Sequence, residues 1–93
     1  MPQSIVETFK VEATNRVLAR IGDEMYYALK FELQRIYKIE LAKVTSFSLD
    51  GLHLALQDLL GPHSARLLVR TIYGEIDRLA KEQASQMAID ENE

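Results

Sequence analysis

The sequence predicts an all-α domain, on three observations. Apolar residues recur at helical rather than alternating spacing in three stretches. Helix start and stop signals fall between those stretches, and the one segment that also suits a strand, Ile5 to Val11 with its β-branched Thr8 and Val11, would lack a ladder partner. At 93 residues the chain can build one core, which sets residues 1–84 as a single helical domain and leaves residues 85–93, ending in Asp90, Glu91 and Glu93, as a frayed acidic tail.

The first element is expected to open at Ile5, where Ser4 and Glu7 have the spacing of a capping box. Wound at about 100° per residue, it carries two apolar stripes rather than one. Val11, Leu18, Met25, Leu29, Leu33 and Ile36 share one side; Ile5, Phe9, Ala13, Val17 and Ile21, followed by Tyr27 and Phe31, occupy the other. A helix with two greasy faces must bury the second against another element, another chain or a ligand. The expected cover is another chain, which makes Ile5, Phe9, Ala13, Val17, Ile21, Tyr27 and Phe31 a dimer interface. A domain this small commonly gains stability by association. Gly22-Asp23 can end one helix and start the next, yet Val11 and Leu18 align with Met25 and Leu29 across the glycine, which favours one continuous rod.

Residues 39–47, including Thr45, Ser46 and Phe47, read as a connection. Ser48 then caps a short helix whose Leu49, Leu52, Ala55, Leu56, Leu59 and Leu60 face one way, and whose Asp50, Gln57 and Asp58 face the other. Gly61-Pro62 stops it and starts the next. From Pro62 to Ala84 the spacing predicts an amphipathic helix with Ala65, Leu68, Val69, Ile72, Tyr73, Ile76, Leu79 and Ala80 on one arc. The seam turns to Gln83 and Gln86 beyond Leu79, too short for a free-standing coiled coil.

No pattern for catalysis emerges. There is no cysteine, hence no disulfide, thiolate nucleophile or cysteine-ligated metal, and a reducing cytoplasm is the expected compartment. His53 and His63 are not at the i,i+4 spacing of a helical metal site, so no metal or other cofactor is expected. Ser46, Ser48, Ser64 and Ser85 lack the flanking glycines of a nucleophile elbow, and Gly22, Gly51, Gly61 and Gly74 are too scattered to cradle a phosphate. No apolar run approaches the roughly 20 residues needed to cross a bilayer.

Two surfaces stand out. Arg66, Arg70 and Lys81, with Arg78 further round, form a basic stripe on the outer face of the last helix, interrupted by Asp77. It is the candidate nucleic-acid contact. Tyr27 and Phe31, one turn apart among Lys30, Gln34, Arg35 and Lys38, suit a protein interface, a stacked base or ordinary core. The net charge of −3 gives no support to nucleic acid as the main partner.

The runs Tyr26-Tyr27-Ala28-Leu29, Ile36-Tyr37-Lys38-Ile39, Leu49 through Ala55-Leu56, Leu60-Gly61 and the final helix from Leu67 to Leu79 resemble the Nitrosopumilus output domains of the fifth type, a family of small archaeal modules. The likeness covers residues 24–80 and implies a helical signalling or interaction module without catalytic residues. The expected function is therefore a non-enzymatic, dimeric interaction module of a cytoplasmic regulatory system. The alternative is a small DNA-binding transcription regulator that uses the short helix and the basic stripe.

Overall fold

The first helix, α1 (Pro2–Ala19), ends three residues before Gly22, and α2 (Asp23–Tyr37) starts directly after it. The computed structural model describes the backbone of residues 2–91 and the side-chain surroundings of residues 5–85. A short 3-10 turn (Val44–Ser46) precedes α3 (Leu49–Leu60), and α4 (Pro62–Glu91) completes an all-α fold in which no strand occurs among the described residues.

The continuous rod is corrected at Gly22, which sits at φ 120° and ψ 151°, a conformation that side-chain-bearing residues rarely adopt. Asp23 and Glu24 then place two carboxylates against the exposed amides of the first turn of α2, as the helix dipole favours. The helix start moves as well. Pro2 already lies in α1, so Ser4 is within the helix rather than capping it, and Glu7 reaches forward to Lys10 at 3.1 Å.

The signals around α3 act as their chemistry requires. Ser48 Oγ accepts the Gly51 N–H at 3.0 Å. Gly61, at φ 93°, donates its N–H to the Gln57 carbonyl at 2.9 Å, and Pro62 opens α4. That helix continues past the expected end at Ala84 to Glu91; the surroundings of residues 86–93 of the expected tail lie outside the described residues.

Helix α1 lies at the centre of the packing and is covered on more than half of its circumference. Its longest contact is with α4, and α3 also packs on α4 rather than chiefly on α1. Ala13, Thr14, Val17 and Leu18 are buried, with Val6, Phe9 and Val11 packed at the margin. The middle of the second stripe of α1, Phe9, Ala13 and Val17, is therefore covered within the same chain. Leu18, Leu33, Leu41, Leu52, Leu56 and Ile72 are fully enclosed, and burial of each such side chain contributes roughly 1.5–3 kcal/mol.

The connection between α2 and α3 belongs to the core as much as the helices do. Ile39, Leu41 and Phe47 are buried. Its polar backbone is satisfied locally: Ser46 Oγ accepts from Glu40 N–H at 2.9 Å and donates to the Glu40 carbonyl at 2.7 Å. Two polar side chains of α1 fasten it. Asn15 donates to the carbonyls of Val11 (2.8 Å) and Leu41 (2.9 Å) while its oxygen accepts the Tyr26 hydroxyl. The buried Lys10 ammonium donates to the Phe47 carbonyl and lies 4.9 Å from the centre of that ring.

Candidate interaction surface

The break at Gly22 decides what α2 shows to solvent. Leu29 and Leu33 enter the core, with Tyr26 and Tyr37 half-buried beside them. Tyr27 and Phe31, nearly half a turn away from that pair at about 100° per residue, point outward and are 64% and 61% exposed. The i,i+4 row running through them is Asp23, Tyr27, Phe31 and Arg35, all four exposed. Lys30 lies 5.9 Å from the Tyr26 ring centre at one margin, and Lys38 donates to the Arg35 carbonyl at the C-terminal end. Arg35 also reaches Glu32 at 2.7 Å, an exposed i,i+3 pair worth at most about 1 kcal/mol. Asp23 has no ionic partner among the described residues.

The expected interface thus divides. Ala13 and Val17 are removed from it: Val17 is only 3% exposed and Ala13 less, because α4 and the core cover the face once assigned to a partner. Phe9 is half-buried against the same cluster. Ile5, Ile21, Tyr27 and Phe31 stay exposed, but not as one stripe, since the turn at Gly22 separates the first two from the last two. Ile21 instead joins Met25, Leu60, Ser64, Leu67 and Leu68 around an apolar groove of about 360 Å³ where the α1–α2 and α3–α4 corners meet. Met25 and Ile36, expected in the core stripe, are each 47% exposed.

The basic stripe on α4 is thinner than its composition. Arg78 is turned toward Glu75 and Glu82, and Lys81 pairs with Asp77 at 3.1 Å. Only Arg66 and Arg70 of the four stand without an ion pair among the described residues. Two cations offer little purchase on a phosphate backbone, whose binding strength grows with the number of charges neutralised.

Glu75 is the functional-looking residue that sequence spacing misses. Its side chain is 5% exposed and accepts from Arg16 at 3.3 Å, Arg20 at 3.2 Å and Arg78, joining α1 to α4. Hydrogen bonds from Arg78 do most to hold its carboxyl down to about 2, burial opposes them, and Arg16 and Arg20 add to them. All three partners are structural cations with carboxylates of their own or of this network, so the cluster is a clasp between helices. Its signal was absent from local spacing because Arg16 and Glu75 are 59 positions apart.

A second groove, about 690 Å³, runs between the α2–α3 connection and α3, beside Tyr37, Phe47 and Leu54. There the Tyr37 hydroxyl donates to Asp58, which raises its pKa. His53 is half-buried on α3 and His63 exposed at the start of α4, and no group of three metal-ligating residues forms among the described residues. No helix among them is long and apolar enough to cross a membrane. No family model, curated protein or solved structure matches the chain.

Proposed function

We propose that this chain is a non-enzymatic helical interaction module of a cytoplasmic regulatory or signalling system, and that it contacts a partner protein through the outer face of α2. The observation that carries this reading is the exposure of Tyr27 and Phe31 on the side of α2 opposite Leu29 and Leu33. Each aromatic presents roughly 150–250 Å² for burial, so covering both offers several kcal/mol of gross stabilisation at about 25 cal/mol per Å². Association and side-chain ordering consume much of that. The partner surface would be apolar at its centre and carry charges at its two ends, complementary to the exposed Asp23 and Arg35.

The test is a photo-crosslinking amino acid at position 31, with Asp50 on the solvent side of α3 as the control position. Protein adducts at 31 and none at 50 are the expected result. Absence of any protein adduct at 31, or adducts to nucleic acid from positions 66 and 70 instead, overturns the reading.

A further inference from the structure

The row of side chains on the outer face of α2 has a symmetry of its own. Tyr27 and Phe31 stand two positions either side of Leu29, and Asp23 and Arg35 stand six positions either side of it. All four are exposed and follow one another at i,i+4 steps over about 18 Å of helix. The face therefore reads acid, aromatic, aromatic, base from its first turn to its last.

We propose that this face docks on a second copy of the chain, with the two α2 helices antiparallel about a two-fold axis at Leu29, Tyr27 of each against Phe31 of the other, and Asp23 against Arg35. It rests on the reading of the outer face of α2 as a contact surface and names the occupant. An isologous contact requires that a surface complement itself. Rotation about an axis that runs between the two helices, across the contact face at the level of Leu29 and perpendicular to α2, brings position 35 of one copy over position 23 of the other, and position 31 over 27. Opposite charges then meet at both ends while aromatic rings fill the middle, an arrangement that edge and offset ring packing stabilises. A parallel pairing would set Asp23 against Asp23 and Arg35 against Arg35. Antiparallel packing also brings the acidic first turn of one helix to the last turn of its partner, where the dipoles oppose favourably.

The charges are available for this. Asp23 has no ionic partner among the described residues, and the Glu32 partner of Arg35 is partly exposed, so the guanidinium can bridge both carboxylates with its separate N–H groups. A contact of this size belongs to the weak, reversible class, and each docked pair would leave the corner groove and the α4 surface open.

Sedimentation equilibrium of the full chain from about 1 μM to about 1 mM, a range suited to weak interfaces, tests the pairing. A concentration-dependent shift from monomer to dimer is expected. Phe31→Asp should abolish it. Asp23→Arg and Arg35→Asp should each weaken it about tenfold, because every change strikes both symmetric contacts and replaces attraction by repulsion. The double variant should return to within about threefold of the parent, since the two charges are simply exchanged. Far-UV circular dichroism on each variant verifies that the helices persist. A parent that is monomeric throughout, or a double variant no tighter than the single ones, overturns self-pairing. If that monomer still gives position-31 adducts with a different protein, the contact surface stands and only its occupant is wrong; loss of both mass shift and adducts removes the surface as well.

Discussion

Replacing Glu75 by glutamine should make the stability of this fold nearly indifferent to acid in the range where the parent is sensitive. The carboxyl falls from an ordinary value of 4.5 to about 2 in the folded chain, and each unit corresponds to about 1.36 kcal/mol. The product, about 3 kcal/mol, is an upper bound. The side chains of Arg16, Arg20 and Arg78 are 44%, 58% and 48% exposed, and water screening of half-exposed partners brings the contribution to about 1–2 kcal/mol. Because the folded value is depressed, this stability is fully present above the unfolded value of 4.5 and is lost as pH falls toward 2. Glu75→Gln mimics the protonated side chain in shape and lacks its charge. Urea unfolding followed by far-UV circular dichroism should therefore find the variant less stable by about 1–2 kcal/mol near pH 7, with the two curves converging near pH 2. A constant offset at every pH would refute the argument, since it would mean that the clasp draws nothing from ionisation.

Two other perturbations follow from the fold. Val17→Asp, a change that would merely separate subunits if Val17 faced a partner, should instead cost more than about 3 kcal/mol by burying a charge in the core, seen as loss of the cooperative thermal transition. Lys38, the one residue other than glycine at positive φ among those described (φ 59°), closes α2 through its N–H to Gln34 and that of Ile39 to Leu33; Lys38→Gly should raise stability by up to about 1 kcal/mol by relieving that conformation, measured as the urea midpoint.

The parts of the fold legible in sequence are those governed by neighbours along the chain. Ser48, Gly61 and Pro62 act within a few positions of themselves, so their chemistry bounded α3 and the start of α4 correctly. The single apolar face of α4 was equally plain, because one arc has only one place to go, except at its edge, where Tyr73 was expected inside and is 46% exposed. α1 was ambiguous for a physical reason. Its two stripes demanded two covers, and periodicity does not distinguish a cover supplied by α4 of the same chain from one supplied by another molecule. The aligned phase of Leu18 and Met25 favoured an unbroken rod, yet the backbone turns at Gly22 and leaves Met25 at the surface. Ile39, Leu41 and Phe47 carry no period and so were read as a plain connection, although they complete the core. The candidate surface was half visible: Tyr27 and Phe31 were named from their spacing, while their outward direction depends on where the turn sends Leu29 and Leu33.

The pairing of α1 with α4 has a consequence for biogenesis. Helix α1 receives its main cover from α4, which is synthesised after it, and the guanidinium of Arg16 waits for a carboxylate that emerges 59 residues later. A nascent chain in which α4 has not yet emerged carries Ala13 and Val17 uncovered, so the packing of α1 is deferred until α4 has cleared the ribosome, and chaperone contact with α1 is confined to that interval.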